Sequence, residues 1–215
     1  MLISCKSILE FLKKDFGLVF GNNIILAIIY VLLIPVIRGI SNLNNIQSAQ
    51  CLSQSVSLIG IILIVPIVRP EIEIAVKEII YTKSWSYLKS VLIRIACSFV
   101  LVTFFIITFT YAMRLRNCTF PFWSFTGITI LYAVFMGVVG LVVSVFSQNT
   151  IIGYLFALGY WTFCQLQIIQ EGGRFYLFPI INGEIHNEKI IILIMIDILL
   201  LFLFIALQKK DMCRK

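Results

Sequence analysis

The chain has 215 residues, of which 60% are apolar and 13% charged, and its 17 Lys and Arg against 10 Asp and Glu give a net charge of +7. Its mean hydropathy is +1.04, and so few polar residues cannot cover the surface of a water-soluble domain. The apolar residues come in blocks of about twenty, the length that crosses a hydrocarbon core of about 30 Å. The composition excludes soluble enzymes and predicts one all-α integral membrane domain over residues 1–215.

The chain order of these blocks predicts an interfacial helix followed by six spans. Residues 1–16 have apolar side chains at helical spacing with Lys and Glu on the other side, which is typical of an amphipathic helix lying in the membrane interface. The spans are expected at about 18–37, 55–68, 91–112, 125–146, 151–169 and 189–207. Only residues 147–150 separate the fourth and fifth spans, so these two helices are expected to be antiparallel neighbours.

Three segments between the spans are predicted to have structures of their own. Residues 38–54, rich in Asn, Ser and Gln, are expected to form a loop. Residues 69–90 alternate charged and isoleucine residues, a pattern that predicts a surface helix, and their length favours docking of a soluble partner over a plain connector. Residues 175–181 are interrupted by Pro179 and too short to span, which predicts a re-entrant or interfacial hairpin before the sixth span.

The distribution of Lys and Arg predicts the orientation. The amino-terminal segment has three, residues 69–90 have four and the carboxy-terminal tail has four, so eleven basic residues lie on one side. The other side has Arg38, Arg114, Arg116 and Arg174, with Lys189 at a helix mouth. Because basic residues are retained in the cytoplasm, both termini are predicted to be cytoplasmic.

Few residues in this chain could carry catalysis. It has one histidine, His186, and lacks the sequence motifs of phosphate-binding loops, zinc proteases and serine hydrolases, so no enzymatic activity, metal site or cofactor of its own is expected. The six cysteines form no CxxC pair and are interpreted as buried thiols. A disulfide between Cys51 and Cys118 stays open, since both fall in segments predicted to lie outside.

Asp197 is the exception, because it lies near the middle of the sixth span. A carboxylate there must be protonated, paired or reached by water, and such residues often mark a transport path. The alternative interpretation is a structural carboxyl that hydrogen-bonds to a neighbouring helix, for which Gln165, Gln167 or a hydroxyl would serve.

The order of parts resembles the permease subunit of type-2 ABC exporters: amphipathic amino-terminal helix, six spans, charged helix after the second span, re-entrant segment and basic tail. The family often has two acidic positions after its second span, and the run 70–84 (PEIEIAVKEIIYTKS) is similar, with Glu73 and Glu78 at those positions. Ile74 and Ala75 stand where the family often has Gly-Thr.

The resemblance implies a coupling helix, seated in a groove of a separate ATPase subunit, with Glu71, Glu73, Lys77 and Glu78 as its coupling residues. It also implies two ATPase copies, which supply the ATP and Mg²⁺ chemistry, and a second permease chain, identical or paralogous, in the bacterial plasma membrane. The candidates to line or gate the path are Asp197, Tyr154, Tyr160 and Trp161.

The expected function is therefore export of an amphipathic substrate, with a peptide, bacteriocin or antibiotic favoured over a lipid or polymer, and with self-immunity as one biological role. Two alternatives remain at this point. One is a non-transporting membrane assembly or scaffold protein, in which residues 69–90 bind something else. The other is an intramembrane enzyme, which would need several polar side chains meeting within the bilayer.

Overall fold

A computed structural model describes residues 20–68, 87–166, 168, 178, 180–181 and 184–213. The elements in these ranges are α1 Gly21–Arg38, α2 Asn45–Val68, α3 Tyr87–Leu115, α4 Phe122–Ser147, α5 Thr150–Gln165, β1 Ile180–Ile181, β2 Glu184–Ile185 and α6 Asn187–Cys213. The predicted helix at 1–16 and the four predicted coupling residues, Glu71, Glu73, Lys77 and Glu78, lie outside the described residues.

Helix α4 is the centre of the bundle. It has 26 residues and no charge, and it packs against α2, α3, α5 and α6. Each spanning helix contains an apolar stretch of 18 residues, the length that crosses a membrane. In that stretch 72% of the α4 residues and 78% of the α2 residues are buried, against 11% for α1 and 17% for α6. Helices α2 and α4 therefore form the inner pair, and α1 and α6 present most of their apolar side chains outward.

Small residues allow the backbones of this inner group to touch. A Cβ added to Gly60 of α2 would overlap the backbone of Ala133 in α4, and a Cβ added to Gly153 of α5 would overlap Gly140 O and Ser144 Oγ of α4. Such contacts are the usual basis of tight helix association in lipid, where no hydrophobic driving force operates between helices.

Helix α2 begins at Asn45, so the prediction of a loop over 38–54 and a span starting at 55 is wrong. The side chains and backbones of Asn44 and Gln47 form a capping box that starts the helix. The hydroxyls of Ser53 and Ser57 donate to the carbonyl oxygens of Ala49 and Ser53, at 2.7 and 2.5 Å. Serines that donate hydrogen bonds to carbonyls of their own helix can be buried. The Asn, Ser and Gln residues of this segment, which are typical of a loop, therefore lie in a helix here.

The structure supports a multi-pass membrane protein, and among the described residues five helices are long and apolar enough to span: α1, α2, α3, α4 and α6. The fifth predicted span, 151–169, is shorter than expected because α5 ends at Gln165 after 16 residues. At 1.5 Å per residue it is about 24 Å long. The side chain of Asn149 accepts a hydrogen bond from Ile151 N at 2.9 Å and caps α5, which packs extensively on α4 as the short 147–150 link predicts.

One end of the bundle, called here the Arg38 end, contains the last residues of α1 and α3 and the first residues of α2 and α4. Two backbone hydrogen bonds join its loops, Asn42 N to Arg116 O at 3.0 Å and Thr119 N to Leu43 O at 3.1 Å. Strands β1 and β2 pair antiparallel, a small departure from the all-α prediction, and β1 packs on the first turns of α2. The re-entrant depth predicted for 175–181 stays a prediction, since most of that segment lies outside the described residues.

Candidate functional site

Asp197 lies in the interior of the bundle, on the face of α6 that packs against α4. It is ten residues from Asn187, which places it about 15 Å along the helix at 1.5 Å per residue. Its side chain is 5% exposed, and neither carboxylate oxygen has a hydrogen-bond partner among the described residues. The interpretation of Asp197 as a carboxyl hydrogen-bonded to Gln165 therefore fails in this conformation, and Gln167 lies outside the described residues.

The surroundings of Asp197 are apolar and aromatic. Its neighbours on α6, Leu193 one turn earlier, Ile196 and Leu200, all pack in one cluster with side chains of α2, α4 and α5. Four rings of that cluster that contact one another, Tyr132, Phe135, Tyr160 and Phe178, are called here the aromatic cluster. Because Leu193 and Leu200, one turn on either side of Asp197, contact this cluster, Asp197 lies on the face of α6 that borders it.

The rings of the aromatic cluster are in contact with one another. The Tyr132 centroid lies 4.9 Å from that of Phe178 and 5.9 Å from that of Phe135. The Phe135 and Tyr160 rings meet edge to face at 6.0 Å. These are favourable aromatic geometries, and they connect α4 to α5 and to the segment that precedes α6.

The predicted path residues are brought to this region. Tyr154, Tyr160 and Trp161 of α5 are partly buried against the same cluster as Leu193 of α6. Trp161 also reaches α2, because its indole Nε1–H donates to the backbone carbonyl oxygen of Gln54 at 2.8 Å. Three aromatic residues from α5 and one carboxylate from α6 thus lie around one interior cluster.

Helix α2 is irregular where Trp161 meets it. Cys51–Ser55 is a π turn and Val56–Leu58 a 3₁₀ turn, and the amide of Ile59 donates to Val56 O, three residues back. In a regular α-helix that amide would donate to Ser55 O. Ser55 O also accepts the hydroxyl of Tyr30 on α1, at 2.7 Å. Side chains of α1 and α5 therefore donate to two neighbouring carbonyls at an interruption of α2, and such interruptions are frequent at functional sites.

A shallow cavity of about 290 Å³ lies at the Arg38 end and is lined by Arg38, Gly39, Leu43, Gln47, Gln50 and Cys51. Arg38 is exposed and donates from its guanidinium to the Gln54 side-chain oxygen at 2.9 Å. Cys51 and Cys118 are both buried free thiols, and Cys118 Sγ donates to Ile40 O at 3.2 Å. The disulfide left open by the sequence is therefore absent from this conformation.

The sequence indicated Asp197 and the α5 aromatic residues but not the other parts of the site. Tyr30, Gln54 and Ser55 could have been noticed as polar residues within or beside apolar runs. Tyr132 carries the same signal, since it is a hydroxylated ring in the middle of an uncharged span. The π turn itself has no recognisable pattern in the sequence.

Within the described ranges no group of three or more His, Cys, Asp and Glu side chains could hold a metal ion. A comparison with protein-family models found no match for the chain, and neither a curated protein nor a solved structure matches it.

Proposed function

We propose that this protein is the transmembrane permease subunit of an ATP-driven ABC exporter, moving an amphipathic substrate out of a bacterial cell with a separate ATPase subunit. The observation that carries the proposal is the buried, unpartnered carboxyl of Asp197 beside the aromatic cluster, inside a helical bundle. An ionisable side chain inside the membrane is expensive and marks substrate or ion pathways more often than structural positions.

The interruption of α2 supports a transport role. Discontinuous helices whose freed carbonyls line an interior site recur in transporters, because irregular backbone is tolerated at membrane depth only where protein or a cavity satisfies it. Here the carbonyls of Gln54 and Ser55 accept hydrogen bonds from Trp161 and Tyr30, which belong to two other helices. A movement of α1 against α2 would therefore change the interior directly.

The link to an ATPase rests on the resemblance of residues 70–84 to the coupling segment of type-2 ABC exporters. That segment connects the end of α2 at Val68 to the start of α3 at Tyr87. Both helices pack against α4. Glu71, Glu73, Lys77 and Glu78 are its proposed contacts with the ATPase. ATP hydrolysis belongs to the partner, and a second permease chain, identical or paralogous, completes the transporter, with both termini in the cytoplasm.

Co-purification with the candidate ATPase tests this function. The full chain is expressed with the ATPase, extracted in detergent and assayed for complex formation and ATP hydrolysis. In the double variant Glu73→Ala with Glu78→Ala, the complex or its permease-dependent ATPase activity is expected to be lost. The matched control is Glu184→Ala with Glu188→Ala, which removes two carboxylates on the other side of the membrane and should leave both unchanged.

Failure of the wild-type chain to bind the ATPase in several detergents and in lipid nanodiscs would contradict the proposed function. The non-transporting scaffold would then become the better account of residues 69–90. Equal loss in the two double variants would also count against the coupling segment, because it would indicate a general effect of removing charge.

A further inference from the structure

We infer that Asp197 and the aromatic cluster form a binding site for an organic cation, an ammonium or guanidinium group on an amphipathic molecule. The identification of this cation with exported cargo rests on the proposed function, whereas the binding itself does not. The inference defines the charge and chemical class of the ligand, which the sequence left open.

The first argument is the missing counter-charge. Asp197 is 5% exposed with both oxygens unbonded within the described part of the chain. Helix α4, its main contact, has no charged residue over Phe122–Ser147. Arg94 is the buried cation of α3, but it does not hydrogen-bond to Asp197. A buried carboxyl without a partner is stable only as the neutral acid or beside a compensating positive group, and an organic cation bound here would supply that group to the ionised form.

The second argument is the nature of the surrounding groups. Aromatic faces attract ammonium and guanidinium ions through the ring quadrupole, and the attraction increases when the site is dry. The aromatic cluster provides such rings from α4, α5 and the residue Phe178, and Leu193, Ile196 and Leu200 add apolar surface. A cation with a large apolar body therefore matches both parts of the site.

The same groups disfavour other ligands. Ca²⁺ and Mg²⁺ need about six oxygen ligands, and one carboxylate among hydrocarbon side chains cannot supply them. An anion would be repelled by Asp197. A neutral apolar molecule would gain nothing from the charge of an ionised Asp197.

The packing also provides a route of access. Helix α6 is held mainly by α4, touches α3 only weakly, and has only 17% of its span window buried. Separating α6 from α4 would expose Asp197 while leaving the α2–α4–α5 contacts unchanged.

The test is binding of tetraphenylphosphonium to the purified full chain in nanodiscs, without ATPase or ATP, measured by equilibrium dialysis against empty nanodiscs. Tetraphenylborate, an anion of the same size, is the control probe. We expect saturable binding of the cation alone. Asp197→Asn should weaken it at least about tenfold, the loss of one charged interaction, and Asp197→Glu should retain most of it.

Stability measurements separate a lost site from a lost fold. Asp197→Asn removes a buried charge at nearly constant volume, so its thermal midpoint should not fall. Tyr160→Leu should weaken binding severalfold through the lost ring, whereas Phe163→Leu on the exposed face of the same helix should not. Equal affinity of wild type and Asp197→Asn, or equal affinity for the two probes, would overturn the inference.

The two proposals can fail separately. Asp197-dependent cation binding by a chain that forms no ATPase complex would leave this site standing and remove the exporter function. An active ATPase complex whose permease shows no Asp197-dependent binding would do the reverse.

Discussion

Replacing Gly153 by Ala adds one methyl group where α5 touches α4, and replacing Gly159 by Ala adds the same group to the same helix where nothing lies within 4 Å. The Cβ at position 153 would overlap Gly140 O, a backbone atom of the central helix, and lie 3.0 Å from Ser144 Cβ. The Ser144 side chain can rotate, but the Gly140 carbonyl cannot move without α4. The two helices must therefore separate.

The expected magnitudes follow from two opposing effects. Ala in a helix interior is favoured over Gly by about 0.5–1 kcal/mol, and this gain applies at both positions. Overpacking a tight contact costs about 1–3 kcal/mol, and this cost applies at 153 alone. Gly159→Ala should be neutral or slightly stabilising, and Gly153→Ala should be less stable than it by about 1–3 kcal/mol.

The difference in the free energy of unfolding can be measured in mixed micelles. Both variants are unfolded with increasing sodium dodecyl sulfate in the same detergent, and unfolding is followed by circular dichroism. Both variants add the same atoms to the same 16-residue helix, so effects on the unfolded state are matched. Equal stabilities would refute the close contact of α4 and α5, and a less stable Gly159→Ala variant would reverse the assignment of the two faces.

Three further predictions concern the interior. Tyr30→Phe and Trp161→Phe each remove one hydrogen-bond donor to α2 and should lower the free energy of unfolding by about 0.6–1.5 kcal/mol. Amide hydrogen exchange at the π turn should become faster. Unchanged exchange in both variants would show that these bonds do not hold the turn. Asp197→Leu removes a buried carboxyl without a hydrogen-bond partner. It should raise the free energy of unfolding by about 1–3 kcal/mol and abolish cation binding. A lower free energy of unfolding would show that Asp197 makes a stabilising contact in the folded protein. Of Cys51, Cys97, Cys118 and Cys164, half-buried Cys97 should react with N-ethylmaleimide first and buried Cys51 only on unfolding. Mass spectrometry of timed digests would show any other order.

The membrane class and the helix order could be predicted from the sequence because they depend on block length and composition. α4 and its short link to α5 follow directly, since 26 uncharged residues and a four-residue connection leave few alternatives. The start of α2 could not be predicted in this way. Asn, Ser and Gln at 44–57 indicate a loop by composition, and only the hydrogen bonds of Ser53 and Ser57 to their own helix make burial acceptable.

Some residues of the candidate site could also be predicted from the sequence, and others could not. Asp197 stood out because a charge in the middle of a span has a physical cost that the sequence alone reveals. Its neighbours depended on which face of each helix turns inward. The rings of Tyr132 and Phe178, for example, are in contact although these residues are 46 positions apart in the chain. The carbonyls of Gln54 and Ser55 depended on a change of hydrogen-bond register within α2, which leaves no mark on side-chain periodicity.

The contrast between inner and outer helices indicates which parts can move. Helices α2 and α5 each touch α4 at a glycine, Gly60 and Gly153, so a relative shift of these helices would break close backbone contacts. Helices α1 and α6 touch the bundle on one side, and each carries or contacts one half of the site: Tyr30 on α1 binds Ser55 O, and Asp197 lies on α6. A rigid inner group flanked by two lightly held helices can open the site without unfolding the core. Cross-linking α6 to α4 near Asp197 should therefore abolish cation binding, whereas cross-linking α4 to α5 should leave it intact.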